Sequence, residues 1–271
     1  MKNETKVVLL TGGSSGIGAA AAELMAAAGM TVYAASRRGT AATESAGIIP
    51  IRLDVNDEAA TAAAIDGIIA KSGRLDAVVV NAGNGIAGAI EDTDDAEARF
   101  QFETCFFGAL KTIRACLPVF RRQGHGRILT VTSVAAVIPL PYQGLYSSAK
   151  SALLMFTESL AIELKGTGIQ CGSVLPGDTS TGFTGARRLT AAAEREDSPY
   201  HDKFQAYLRK IEHDELEGMP AAKIAKAILR QLQRRRMAMR LTPRIDYKAI
   251  CLLARILPTK LKLWIIGLLY N

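Results

Sequence analysis

The chain has 271 residues, of which 49% are hydrophobic and 22% are charged, and its formal net charge is +7. This length and apolar content suit one α/β domain with a sizeable core and exclude a disordered or fibrous chain. The four cysteines lie far apart without a C-x-x-C pair, and the three histidines show no ligand spacing. We therefore expect neither a disulfide framework nor a metal site. Because no signal-peptide pattern precedes the first apolar run, we expect a cytoplasmic protein.

Short apolar runs alternate with helical segments over the first two thirds of the chain. Six runs predict strands: KVVLL, TVYAASRR, GIIPIRLDV, LDAVVVNAG, GRILTVTS and IQCGSVLPG. Strands that alternate with helices are typical of βαβ units. The sequence therefore predicts an α/β fold with a Rossmann-type, doubly wound parallel sheet and helices on both faces, forming a single domain over residues 1–271. Ligands of such sheets bind beyond the carboxyl ends of the strands.

The last third of the chain departs from this alternation. Residues 178–218 are polar with scattered aromatics, and we predict an irregular segment that acts as a substrate lid. Residues 234–271 are basic and apolar, and ten Lys/Arg stand against one Asp between positions 230 and 262. The terminal LKLWIIGLLYN holds Trp264 but is far shorter than the ~20 residues that span a bilayer. We expect this extension to contact a membrane surface or a lipophilic substrate entrance, or else to form a buried subunit contact.

The turn between the first strand and the first helix is rich in glycine. Its spacing, G-x-x-x-G-x-G from Gly12 to Gly18, differs from both G-x-G-x-x-G and the phosphate loop of NTPases. Glycines let the backbone approach a pyrophosphate, and the N–H groups and dipole of the helix start bind its charge. A plain glycine-rich turn is the alternative. The candidate cofactor contacts in this turn are Gly12, Ser14, Ser15, Gly16, Ile17 and Gly18.

Two arginines, Arg37 and Arg38, follow the second strand. NAD-binding chains carry an acid there for the ribose 2′-hydroxyl, and an acid would repel a 2′-phosphate. Guanidinium groups pair well with phosphate. We therefore predict NADP(H) as the cofactor, held chiefly by Arg37 with Arg38 in support. Two solvated arginines are the alternative.

The sequence YSSAK places Tyr146 and Lys150 four residues apart in a predicted helix. Positions i and i+4 lie above one another, so the phenol and the ammonium can meet over one bound molecule. A phenol with a pKa near 10 is a poor acid–base catalyst at neutral pH, and a nearby positive charge lowers that pKa. The pattern is consistent with a proton-transfer pair, or with two residues on a partly solvated helix face.

The ordered motifs TGGSSGIG, LDV, NAG, Ser133, YSSAK and PGDTST resemble the short-chain dehydrogenase/reductase family over essentially the whole chain. GRILTVTSVAAVIPLPYQGLYSSAKSAL and the tail TPRIDYKAICLLARILPTKL are similar to its steroid- and retinol-type branch. The resemblance implies an NADP(H)-dependent oxidoreductase of a small lipophilic carbonyl or alcohol. It assigns Tyr146 as acid or base, Ser133 as the group that holds the substrate oxygen, and Lys150 as the group that favours the phenolate and grips the nicotinamide ribose.

The resemblance also implies further cofactor contacts and a homodimer or homotetramer. Asp54, beside Val55, would meet the adenine amine, and Thr181 would bond the carboxamide, although both residues also suit a turn or cap. The remaining implied contacts are Asn81, Ala82, Gly83, Pro176, Gly177 and Thr179. One departure stands out: Cys105 occupies the place where the family's motif usually has an asparagine, and a thiol replaces an amide poorly.

Three other functions compete with this interpretation. A 3-oxoacyl thioester reductase would use a basic surface for an acidic carrier partner. A non-catalytic dinucleotide sensor is hinted at by Cys105. Nucleic-acid binding through RQLQRRRMAMR is disfavoured, because this basic stretch lacks interleaved aromatics or a known reading motif.

Overall fold

A seven-stranded parallel sheet forms the centre of the protein, in a computed structural model that describes residues 5–43 and 45–270. The strands are β1 (Val7–Thr11), β2 (Thr31–Ser36), β3 (Ile48–Arg52), β4 (Ala77–Val80), β5 (Ile86–Ala87), β6 (Gly126–Val131), β7 (Ile169–Val174), β8 (Thr179–Ser180), β9 (Arg188–Leu189), β10 (Met219–Pro220) and β11 (Arg240–Leu241). The order in the central sheet is β11-β7-β6-β4-β1-β2-β3. Two-residue strands form the separate pairs β5–β9 and β8–β10.

Helices cover both faces of this sheet. They are α1 (Gly16–Ala27), α2 (Glu58–Ser72), α3 (Asp95–Phe102), α4 (Ala109–Gln123), α5 (Gly144–Glu163), α6 (Phe183–Ala186), α7 (His201–Leu216), α8 (Ala221–Gln233), α9 (Ile245–Ile256) and α10 (Thr259–Tyr270). A π-helical turn, Glu103–Gly108, joins α3 to α4, and a 3-10 turn, Val134–Ala136, follows β6. The predicted doubly wound parallel sheet is confirmed.

The two faces of the sheet bury separate apolar layers. Successive side chains of a strand point to opposite faces. Accordingly, Leu9 shares a core with Ile113 of α4 and Leu153 of α5, whereas Leu10 shares a core with Met25 of α1 and Ile228 of α8. Because both faces are covered, the central strands β1 and β4 are buried along their whole length and are almost entirely apolar. All six predicted strands are present, and the sheet gains a seventh, β11, at its edge.

The prediction of an irregular segment over residues 178–218 is wrong for residues 201–216, which form helix α7. Phe204, Tyr207, Leu208 and Ile211 are buried, and their i, i+3, i+4, i+7 spacing places them on one helix face. The polar residues between them occupy the exposed face. That surrounding polarity conceals a short apolar stripe.

The described part of the C-terminal extension, residues 234–270, divides into two parts that lie at opposite ends of the strands. The first part is the basic cluster of residues 234–236. The carbonyl of Arg235 accepts a bond from Gln170, near the start of β7, so this cluster lies at the amino ends of the strands. Beyond β11 the chain enters α9 and α10, here called the C-terminal helix pair, at the carboxyl ends. Within the described residues, no helix is long and apolar enough to cross a bilayer.

Candidate active site

A cavity of about 710 Å³ opens at the carboxyl ends of the strands. Its wall combines the glycine turn, the ends of β4, β6 and β7, the start of α5 and the C-terminal helix pair. Most of the predicted site residues line it: Gly12, Ser15, Gly16, Ile17, Arg38, Asn81, Ala82, Gly83, Ser133, Tyr146, Lys150, Pro176, Gly177, Thr179 and Thr181. The topology therefore gathers distant sequence motifs around one cavity.

Ser133, Tyr146 and Lys150 meet at the centre of this cavity. Ser133 lies just beyond β6, and its hydroxyl accepts a bond from the N–H of Ala135 at 3.1 Å. This hydroxyl is also close enough to the side chain of Tyr146 to lower the pKa of the phenol. On α5, the buried Lys150 Nζ donates to the carbonyl of Val131 at 3.1 Å and lies 5.8 Å from the centre of the Tyr146 ring. The i, i+4 pair on α5 thus faces the site.

The environment of Tyr146 favours its protonated form. Burial raises the pKa of Tyr146 above its ordinary value. The ammonium of Lys150 and the nearby Ser133 hydroxyl lower that pKa, whereas the carboxylate of Glu215 adds to the rise. Because the rise prevails, Lys150 moderates the pKa of this phenol without bringing it below the ordinary value. A protonated phenol beside a bound carbonyl can donate its proton.

The glycine turn leaves no room for side chains. Gly12 has φ +69° and Gly16 has φ +52°, a region that favours glycine. A Cβ on Gly18 would lie 2.0 Å from the carbonyl oxygen of Gly12. Asn81 holds the turn by donating to the carbonyls of Thr11 and Gly12 at 3.2 and 3.1 Å. This close-packed turn sits against the cavity.

The start of α1 suits an anion. Ser15 precedes the first helical residue and makes no side-chain capping bond within the described residues. Ser15, Gly16 and Ile17 line the cavity, so the uncapped start of α1 lies beside it. Such N–H groups, together with the helix dipole, bind phosphate. The turn, this helix start and the adjoining residues 81–83 therefore fit a dinucleotide.

The two arginines after β2 have different positions. Arg38 lines the cavity, and its Nη2 lies 3.4 Å from the hydroxyl of Ser14. Arg37 is exposed and does not line the cavity. The geometry therefore places Arg38 ahead of Arg37 as a contact for a ribose phosphate.

Asp54 and Val55 also lie away from the cavity wall. The carboxylate of Asp54 accepts a bond from the N–H of Asn56 at 3.0 Å, which stabilises the turn after β3. Val55 is buried, and a Cβ on Gly108 would lie 2.7 Å from its Cγ2. Their adenine contact stays a prediction, because the contacts seen here are those of a turn and a core.

Thr179 and Thr181 line the cavity, and each also forms a hydrogen bond within the segment that follows β7. The hydroxyl of Thr179 donates to the carbonyl of Gly177 at 2.7 Å, and that of Thr181 accepts from the N–H of Phe183 at 3.2 Å. A Cβ on Gly16 would lie 3.3 Å from Thr181 Cβ, so this threonine faces the glycine turn. Thr181 remains the predicted carboxamide contact, and Thr179 remains a predicted cofactor contact.

Cys105 lies in the π-helical turn and is buried close to Lys150. A Cβ on Gly83 would be 3.6 Å from its Sγ and 3.4 Å from Lys150 Nζ. Gln101 Nε2 donates to this sulfur at 3.1 Å, and the thiol has Asn84 Oδ1 at 3.2 Å. Two amide side chains therefore surround the thiol where the family's motif has an amide of its own.

The substrate end of the cavity holds residues that the motifs do not reveal. The ring of Phe183 lies 5.9 Å from that of Tyr146. Glu215 of α7 also lines the cavity, accepts a bond from Thr184 at 2.7 Å and pairs with Arg187, whose side chain is 1% exposed. Nε and Nη1 of Arg187 are buried and have no hydrogen-bond partner among residues 5–43 and 45–270. Glu215 belongs to a polar stretch with no motif spacing, so its sequence context offers no signal.

Comparisons with known proteins agree with this geometry. The family model described as short chain dehydrogenase matches residues 6–192. A protein named 3-ketodihydrosphingosine reductase, from Bacteroides thetaiotaomicron, is 34% identical over 233 residues, which are 86% of this chain and 85% of that protein. A short-chain dehydrogenase structure from Streptomyces avermitilis has a TM-score of 0.82 at 32% identity, with coverage of 93% of this chain and 92% of that chain.

A further solved structure, a short-chain dehydrogenase/reductase from Burkholderia phymatum in complex with NAD, has a TM-score of 0.80 at 25% identity. It covers 93% of this chain and 94% of that chain. The chain therefore belongs to the short-chain dehydrogenase family and is one of its oxidoreductases. The resemblance found from the motifs is confirmed at the level of the family, and the steroid- and retinol-type branch stays a prediction.

Proposed function

We propose that this chain is an NADP(H)-dependent oxidoreductase that interconverts a lipophilic ketone or aldehyde with the corresponding alcohol. The observation that supports it most is one continuous cavity. A glycine turn, the Ser133, Tyr146 and Lys150 group, and an apolar helix pair all line it. A cofactor, a reacting carbonyl and an apolar substrate body can thus lie side by side.

The reacting groups have complementary tasks in reduction. When bound beside the glycine turn, NADPH would supply the hydride that the carbonyl carbon accepts. Ser133 positions the carbonyl oxygen, and Tyr146 donates a proton to it as negative charge develops. Lys150 places a positive charge beside the phenolate that forms. The raised pKa of Tyr146 supports this direction, because the phenol stays protonated at neutral pH.

The preference for NADP(H) rests on the position of Arg38. Its guanidinium lines the cavity beside Ser14, next to the glycine turn. A guanidinium forms charge-assisted bonds with phosphate oxygens, whereas the acid of NAD-binding chains would repel a 2′-phosphate. The Burkholderia phymatum protein binds NAD, so cofactor choice varies among similar structures and has to be measured.

A long-chain amino ketone is the leading candidate within the lipophilic carbonyls, ahead of steroid- or retinoid-like ones. The relative from Bacteroides thetaiotaomicron is named for such a substrate, 3-ketodihydrosphingosine. Val134, Ile138 and Leu140 give the wall an apolar surface suited to an alkyl chain. The carboxylate of Glu215 can accept a bond from an amine or hydroxyl beside the carbonyl.

A carbonyl panel tests the proposal. Purified protein is assayed with NADPH or NADH on 3-ketodihydrosphingosine, simple long-chain ketones, steroid and retinoid carbonyls, and acetoacetyl thioesters. We expect fastest turnover with NADPH on the long-chain amino ketone. Thioester turnover in place of ketone turnover would assign the 3-oxoacyl reductase alternative. NADPH binding without turnover on the whole panel would assign a dinucleotide sensor.

A further inference from the structure

We propose that the outer face of the C-terminal helix pair docks on an anionic lipid bilayer, so that the cavity opens onto the lipid surface. The use of this arrangement, which is to admit a substrate from the bilayer, rests on the proposed lipophilic substrate. The docking itself requires no turnover and can be tested separately. The argument uses the two faces of the helices, their charges and their anchoring to the rest of the protein.

The outer face of the pair is apolar and exposed. No residue of α9 or α10 is buried. The outward side chains include Ile245 at 84%, Ile256 at 70% and Trp264 at 62% exposure. Leu252, Leu261, Leu263 and Leu268 are exposed as well. On α9 the positions 245, 252 and 256, and on α10 the positions 261, 264 and 268, have the spacing of one helix face. An exposed apolar face of this kind marks an interaction site.

The inner face of the same helices lines the cavity. On α9 these residues include Tyr247, Ile250 and Ala254, which are spaced three and four apart, as expected for one helix face. On α10, Ile266 and Tyr270 repeat this spacing. A helix that is apolar on both faces is normally buried or in contact with lipid. Here one face lines the cavity and the other is exposed in the described part of the chain.

The charges on the pair favour an anionic lipid surface over a second copy of the chain. Lys248, Arg255 and Lys260 are exposed, and no ion pair with them is found within residues 5–43 and 45–270. The acid Asp246 is already paired with Arg244. Packing two such faces together would bring like charges close, whereas basic residues around an apolar face are attracted to anionic lipids.

The helix lengths set the depth of contact. Each helix has 12 residues, well below the ~20 needed to span a bilayer. Short helices with apolar outer faces and basic flanks lie in the plane of the interface. The pair would therefore rest on the headgroup boundary without crossing the bilayer.

Aromatic contacts hold the pair over the cavity. The hydroxyl of Tyr247 bonds the carboxylate of Asp178, and a Cβ on Gly177 would lie 2.3 Å from its ring. At the other end, the rings of Tyr270 and Tyr207 lie 5.5 Å apart. Because both ends are anchored, docking of the outer face would fix the cavity mouth at the lipid surface.

Trp264 provides a direct probe, because it is the single tryptophan of the chain. Full-length protein is titrated with vesicles of phosphatidylcholine alone or with phosphatidylglycerol. We expect a blue shift of the Trp264 emission, quenching by brominated acyl chains, and sedimentation with anionic vesicles at low salt. The double variant Leu263→Glu/Leu268→Glu should bind at least about tenfold more weakly, since two apolar contacts are lost. The control Ile162→Glu, an exposed apolar position on α5, should bind as the unaltered protein does.

Two further measurements complete the test. The double variant should keep its turnover of a water-soluble ketone, because neither leucine lines the cavity, and should lose turnover of a long-chain ketone embedded in vesicles. No Trp264 shift with anionic vesicles would overturn the docking. A change from dimer to monomer in the double variant, without any vesicle response, would instead assign this face to a second copy. Vesicle binding without ketone turnover would reject the proposed function alone.

Discussion

The catalytic centre and the C-terminal helix pair share one cavity but differ in how they are built. Ser133 and Lys150 are buried, and their polar atoms are engaged by backbone groups. The helix pair has no buried residue and presents apolar side chains. The first region has one arrangement fixed by hydrogen bonds, and such preorganisation is what proton transfer needs. The second region has an adaptable apolar surface, which suits the selection of substrates by size and lipophilicity.

The largest expected effect lies in the hydrogen-bonded region. Tyr146→Phe removes the proton donor and should lower kcat by about 10²–10⁴-fold on every carbonyl, whatever its length. NADPH binding should persist, because the ring remains. Tyr200→Phe, which removes a hydroxyl bonded to Glu91 outside the cavity, is the matched control. Full activity of Tyr146→Phe would remove the phenol from the mechanism.

The second largest expected effect is on cofactor choice, after substitution of Arg38. Arg38→Asp replaces an attraction to the 2′-phosphate with a repulsion, and kcat/KM for NADPH should fall by about 10- to 100-fold. The kcat/KM for NADH should change little. Arg37→Asp should have a smaller effect, because Arg37 does not line the cavity. Equal use of NADH and NADPH by the unaltered protein would contradict the prediction.

The helix pair should affect only long substrates. Leu253→Asp places a charge on the cavity wall, and KM for a long-chain ketone supplied in solution should rise about tenfold, since one leucine contact is worth about 1.5 kcal/mol. The KM for a short ketone should not change. Leu252→Asp, one residue away and outside the cavity, is the control. An equal loss on short and long ketones would show that the two regions are not separate.

Replacement of the unusual thiol should have a small effect. Cys105→Asn restores the amide of the family's motif beside Gln101 and Asn84, whose amides can pair with it. We expect kcat to change by less than roughly 10-fold, about 1.4 kcal/mol of barrier. If the unaltered protein binds NADPH without turnover and this variant is active, the chain is a binding-only member.

The smallest expected effect is a shift of the pH profile. Reduction needs protonated Tyr146, so its rate should fall as the pH rises through the pKa of this phenol. The Glu215 carboxylate raises that pKa, so Glu215→Gln should move the decline to lower pH. Glu217→Gln, an exposed neighbour outside the cavity, should leave the profile unchanged. A shift in the opposite direction would show that Glu215 acts on the reaction in another way.

The sequence predicts the repeating parts of the fold better than its single contacts. Six strands and the glycine turn follow from local patterns, because each buried strand is a short apolar run. Strand β11 has two residues and pairs only through the edge of β7, so no local pattern marks it. Helix α7 is not predicted from the sequence, because the polar residues of its exposed face surround its short apolar stripe.

The candidate site shows the same limit. The structure brings Ser133, Tyr146 and Lys150 to one cavity, as the motifs predict, since parallel strands end at one edge of the sheet. Their role in proton transfer stays a prediction. The distinction between Arg37 and Arg38 depends on the turn after β2, which composition does not encode. Glu215 reaches the cavity only because α7 folds back beside Arg187, a tertiary contact between positions 28 residues apart.

Strand β11 also has a consequence for handling the protein. It pairs through Arg240 and Leu241 with the outer side of β7, and Arg240 is held by Glu158 of α5. A truncation before residue 240 would leave the backbone groups of β7 unpaired at a sheet edge, and bare edges recruit other chains. Aggregation of such a fragment would reflect that edge and not the loss of α9 and α10. A truncation placed after residue 243 keeps the edge covered and removes only the two helices.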